Sequence, residues 1–148
     1  VVKGYRLFPI TPASYCTGKL NSAGCTPAVG FSGSPKASLP SAPFTISATN
    51  FVNQKSGLLF YSHKPITTAF QGGFKCVADP AVRTPVQNSL GNPPPDDCSG
   101  TYDFHFSDAY MAANGLSAGS TIFCEFWYRD PADPFTVSVS DAVYAELY

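Results

Sequence analysis

The chain has 148 residues, enough for one domain that buries its own core without help from a metal or an oligomer. Hydrophobic residues make up 44% and aromatics 14%, while charged residues are only 13%, well under the roughly 25% of an average globular chain, which excludes a disordered polymer. Nine basic against ten acidic side chains leave a net charge of −1. The basic face that would neutralise phosphates is therefore missing, and nucleic acid is not an expected partner.

In chain order, strand-like runs rich in β-branched and aromatic residues fall at 5–10, 44–52, 58–63, 74–78, 101–107, 121–129, and 135–140 with 142–148. At 102–107 the period is two, which turns Tyr102, Phe104 and Phe106 to a core and Asp103, His105 and Ser107 outward. The run 121–129 divides the same way. Ile122, Cys124, Phe126 and Tyr128 form the core side, and Phe123, Glu125, Trp127 and Arg129 a mixed surface. The Gly- and Ser-rich stretch 30–43 and Pro93-Pro94-Pro95 supply no interior ladder donors and read as connections. A single short helix is expected at 107–114, capped by Ser107 or Asp108 and stopped by Gly115. Seven to eight strands predict an all-β, antiparallel β-sandwich, jelly-roll or immunoglobulin-like, with at most one short helix and a closed barrel as second choice. Residues 15–148 form the domain and residues 1–14 an N-terminal arm or first strand. The absence of an internal repeat argues against a solenoid.

No apolar run approaches the ~18 residues of a membrane span, and no signal peptide is visible. The start at Val1-Val2 reads as a processed chain. The five cysteines lack CxxC spacing and have only His63 and His105 for company, so a disulfide framework fits better than zinc. Spacing favours Cys16 with Cys25, closing a Gly-, Asn- and Ser-rich loop, and Cys76 with Cys98, clasping the Pro-rich excursion. Cys124 is left over, either a buried inert thiol or one that pairs outside this chain.

Several segments together carry a resemblance: Cys16-Thr-Gly-Lys-Leu-Asn-Ser-Ala-Gly-Cys25-Thr-Pro27, Asn53-Gln-Lys-Ser-Gly-Leu-Leu-Phe-Tyr61 and Phe70-Gln-Gly-Gly-Phe-Lys-Cys76. They continue with Arg83-Thr-Pro85, Asn92-Pro-Pro-Pro-Asp-Asp-Cys-Ser-Gly100, Phe126-Trp-Tyr-Arg-Asp-Pro131 and Ser140-Asp-Ala142. The combination resembles a module of secreted proteins from planctomycetes and other environmental bacteria, over residues 15 to 143. The resemblance implies an extracellular or cell-surface setting and attaches no activity to the motifs.

The side chains point away from catalysis. His63 and His105 lack a neighbouring nucleophile and face outward, and no enzyme is expected. Asp96, Asp97, Asp130, Asp133 and Asp141 sit at turns, where they are common for local hydrogen bonding rather than for paired-carboxylate hydrolysis. No cofactor is expected. Asp130, Asp133 and Asp141 are the Ca²⁺ candidates, although no Asp-x-Asp-x-Asp-Gly loop is present, and an Arg129–Asp130 salt bridge pinning the turn is preferred. Two surface roles remain. In the first, Tyr5, Leu7, Phe8 and Ile10 form an arm that adds to a neighbour's sheet edge and, with Cys124, builds a homo-oligomer or filament. Low charge also favours association. In the second, Trp127 with Glu125 and Arg129, extended by Tyr61 and His63, stacks on and hydrogen-bonds a polysaccharide. The arm and the odd cysteine tip the expectation toward a structural subunit, with carbohydrate binding as the alternative.

Overall fold

A computed structural model describes residues 11–37 and 44–148. Eleven strands and one helix are present among them: β1 Ala13–Tyr15, β2 Ala28–Ser32, β3 Phe44–Phe51, β4 Ser56–Ser62, β5 Pro65–Phe70, β6 Gly73–Val77, β7 Val82–Arg83, β8 Gln87–Asn88, β9 Gly100–Phe106, α1 Asp108–Ala113, β10 Thr121–Arg129 and β11 Val137–Glu146. All pairings are antiparallel. One sheet runs β1-β11-β10-β4-β7, with β8 also on β4; a second runs β2-β3-β9; β5 and β6 form a separate hairpin.

Alternation along the strands builds the main core between the two larger sheets. Leu59 and Tyr61 of β4 and Ile122, Cys124, Phe126 and Tyr128 of β10 face Phe44, Ile46 and Phe51 of β3 and Tyr102 and Phe106 of β9. Phe51 is the hub. Its ring meets Tyr102 at 4.7 Å and Tyr128 at 4.8 Å edge-on, the geometry that aligns ring edge and face charge. Gly57 on β4 lies against these rings, and a Cβ there would sit 2.7 Å from Tyr102 and Tyr128, so the cluster closes only over glycine. Helix α1 seals one end, with Ser107 Oγ accepting from Tyr110 N at 3.0 Å and Met111 buried.

The large sheet is covered on its other face too. The β5–β6 hairpin packs there through β6, against β10, β11 and β4, and buries Leu58, Phe60 and Val77, with Phe123 and Trp127 partly covered. The hairpin turn is Gln71-Gly72, both residues at positive φ (49° and 81°), which suits the twist of a two-residue hairpin. Lys19 fastens it. Its Nζ donates to the Gln71 carbonyl at 2.9 Å, the Val137 carbonyl at 3.0 Å and Asp133 at 2.7 Å.

The all-β sandwich holds, but with eleven strands rather than seven to eight. Residues 30–32, expected in a connection, finish β2, where Gly30 pairs with Ser47 at a sheet edge; residues 38–43 of that stretch lie outside the described part. The runs 135–140 and 142–148 are one strand, β11, in which Ser140 and Asp141 together oppose Phe126 as a bulge. The disulfides are crossed relative to the expected pairing: Cys16 joins Cys76 and Cys25 joins Cys98. Short sequence separation misled here because other groups already close both loops. Asn21 Oδ1 accepts from Ala23 N and Cys25 N in the first. Buried Asn53 holds the Pro-rich loop, donating to the Asn92 carbonyl at 2.6 Å and accepting from Asp97 N at 2.8 Å. The proposed arm residues Tyr5, Leu7, Phe8 and Ile10 lie outside the described residues.

Candidate functional site

A cavity of about 540 Å³, within the usual range for a ligand site, opens where the hairpin overhangs the outer face of the large sheet. Register places its floor. Trp127 of β10 pairs with Leu58 of β4, and Phe60 of β4 pairs with Arg83 of β7, so Leu58, Phe60, Arg83, Trp127 and Arg129 share one face by the period of two. Phe70 and Phe135 supply aromatic walls, and Lys75 and Asp79, paired at 2.8 Å, close one side. The Arg129 guanidinium lies over the Trp127 ring at 4.9 Å from its centroid. Lys19 lies likewise over Phe135 at 5.0 Å and ties the hairpin tip to the 130–136 loop beside the cleft.

Beneath the hairpin lies Glu125, with no exposure at all. Its Oε1 accepts from Cys76 N at 2.8 Å, and Oε2 has no partner among the described residues. Burial, seconded by the charge of Asp141, pushes this carboxyl up to about 8, against the pull of the Cys76 hydrogen bond and Lys75. Glu125 and the Cys16–Cys76 sulfurs lie within 4.8 Å of one another. The two sulfurs are bonded to each other, so this group is a packed tether for β6 rather than a set of metal ligands. Tyr15 completes the tether, its hydroxyl donating to the Cys76 carbonyl at 2.7 Å.

Of the predicted binding residues, Trp127 and Arg129 come together in the cleft. Glu125 does not join them: it shares their face of β10 but lies under β6, because the outward face of this sheet is not a solvent face. Tyr61 is buried on the opposite face, its hydroxyl 2.9 Å from that of Tyr110. His63 lies just past the end of β4 and bonds the Thr121 carbonyl at 3.0 Å. Neither extends the site.

The Ca²⁺ trio is dispersed. Asp130 accepts from Ser22 N at 2.9 Å and from Ser22 Oγ, and Asp141 accepts from Val29 N at 3.0 Å. Burial works against ionised Asp133, yet the Lys19 and Phe135 N hydrogen bonds hold it below the usual carboxylate range. The expected Arg129–Asp130 ion pair does not form among the described residues, since strand neighbours point to opposite faces. Arg129 lies over the indole while Asp130 is buried. Cys124 is fully buried in the main core as a free thiol, and burial raises its pKa, so pairing outside the chain would require the sandwich to open.

Arg83, Phe70 and Phe135 escaped sequence reasoning because they converge from three separate segments. One signal was available. The unbroken apolar run Leu58 to Tyr61 announces a sheet buried on both faces, and hence an overhanging element. Two disulfides fit an oxidising compartment, and no helix among the described residues is long and apolar enough to cross a membrane. No protein-family model, curated protein or solved structure matches this chain.

Proposed function

We propose that this chain is a non-catalytic extracellular module that binds carbohydrate in the cleft between the β5–β6 hairpin and the large sheet. The observation that carries the reading is the convergence of Trp127, Phe70 and Phe135 with hydrogen-bonding Arg83 and Arg129 around one cavity. Aromatic faces take up the C–H faces of pyranose rings, and the polar groups fix orientation. Further support comes from the rigidity of the walls, tied by the Cys16–Cys76 disulfide and the Lys19 contacts, which lowers the ordering cost of binding. The secreted setting is that of the modules the sequence resembles. Trp127→Ala should abolish pull-down by insoluble polysaccharides while leaving the melting transition nearly unchanged; retained pull-down removes the proposal.

The same scaffold is proposed to serve within a larger surface or filamentous assembly through residues 1–10. Deleting residues 1–11 should leave a folded monomer that no longer polymerises in light scattering, and fibres from the truncated protein would exclude that role.

A further inference from the structure

The charge of the cleft narrows the ligand. Among the four charged side chains that line it, Lys75 and Asp79 neutralise each other, whereas Arg83 and Arg129 have no carboxylate partner among the described residues. Two uncompensated guanidinium groups therefore face one cavity on a protein whose net charge is −1. Each is a planar fork whose paired N–H groups match a carboxylate or sulfate. Arg129 is also held in place: its guanidinium lies over the Trp127 ring, which leaves it less rotamer freedom to lose on binding.

Register sets the span between them. Arg129 stands two residues beyond Trp127, which pairs with Leu58, and so lies level with Ser56; Arg83 is opposite Phe60, four residues further along β4. Four residues along a strand and two strands across amount to roughly 13 Å by roughly 10 Å, or roughly 16 Å between the two backbones. That is longer than a single sugar ring and suits a chain with repeated anionic groups laid along the aromatic floor.

The geometry points to an acidic glycan, carboxylated or sulfated, as the ligand of this cleft. The inference rests on the carbohydrate reading above and commits it to a charge class. Two arginines on separate strands would engage successive anionic residues, while Trp127, with Phe70 and Phe135 on the walls, meets the apolar faces of the rings between them.

The test uses the full chain and paired probes that differ only in charge: polygalacturonate against its fully methyl-esterified form, and dextran sulfate against dextran. Binding is measured by calorimetry at low and at physiological salt. Polygalacturonate, dextran sulfate or both should bind at least about tenfold more tightly than the neutral counterpart, and Arg83→Gln and Arg129→Gln should each weaken that binding about tenfold, with melting temperatures unchanged. Preference for one acidic probe tells carboxylate from sulfate. Equal binding to charged and neutral forms overturns the acidic assignment and leaves the carbohydrate reading standing. Binding to none of the four overturns both. Acidic binding that neither arginine substitution weakens also overturns the assignment, since it would reflect attraction elsewhere on the surface.

Discussion

The two faces of the large sheet do different work although the same strands form both. On the inner face, Phe126 and Tyr128 are fully enclosed against Phe51 and Tyr102 of the second sheet. On the outer face, Leu58 and Phe60 are buried but Trp127 and Phe123 are only partly covered, by a two-stranded hairpin held through one disulfide, one lysine, one tyrosine hydroxyl and one buried carboxyl group. The inner face supplies stability by packing. The outer face depends on tethers, and leaves open the concavity that a ligand needs.

That contrast breaks most plainly at Phe51. Phe51→Ala removes the hub of the ring cluster and should cost about 3–5 kcal/mol in chemical denaturation, with any residual folded protein still competent in the cleft. A loss under about 1 kcal/mol would mean the inner face is not the dominant core.

Removing the tether by Cys16→Ser with Cys76→Ser should cost about 2–4 kcal/mol on loop-entropy grounds and raise amide exchange selectively in residues 69–75. Cys25→Ser with Cys98→Ser removes a disulfide of similar span, 73 residues against 60, yet should leave exchange in the hairpin unchanged. Equal exchange in both variants would show that the hairpin does not depend on its own disulfide.

Proton linkage sharpens the comparison, because Glu125 sits on the tethered face. Its carboxyl ordinarily titrates near 4.5 and is raised to about 8 in the folded protein. The native state therefore keeps a proton that the unfolded chain gives up. This contribution to stability is complete below about pH 4.5, declines above it, and is gone once the pH has passed about 8. At ~1.4 kcal/mol for each pKa unit the ceiling is about 5 kcal/mol, and local yielding of the hairpin reduces what is realised. Glu125→Gln keeps an acceptor for Cys76 N and should flatten the profile of melting temperature from pH 5 to 9. Parallel profiles for the two proteins would place the alkaline loss elsewhere.

The smallest effect is expected at Trp127. Trp127 is partly buried on the cleft floor, and its truncation to Ala should cost about 1 kcal/mol, against the ~3–5 kcal/mol of an enclosed aromatic. A loss of the larger size would make the indole part of the core.

Much of the inner face was legible because alternation in 102–106 and 122–128 reports directly on a half-buried strand. The same rule failed at Glu125. Periodicity assigns a side chain to a face of its sheet, and what covers that face is decided by β6, some fifty residues earlier in the chain. Strand β5 was missed because it starts at a proline and five of its six residues are exposed, leaving no core side for alternation to mark. The disulfide pairing was hidden for a related reason. Which cysteines meet depends on how β6 and the Pro-rich loop fold back over the Cys16–Cys25 segment, and nearness in sequence says little about that.

The crossed arrangement of those bonds has a consequence for covalent integrity. With Cys16 bonded to Cys76 and Cys25 to Cys98, every single peptide-bond cut between residues 16 and 98 falls inside at least one bridged loop. A protease that nicks the exposed run at Pro93-Pro94-Pro95, or the stretch between Cys25 and Cys76, leaves both pieces in one molecule until a reductant arrives. Pairing of neighbours, Cys16 to Cys25 and Cys76 to Cys98, would have let a single nick between the two small loops release the N-terminal segment.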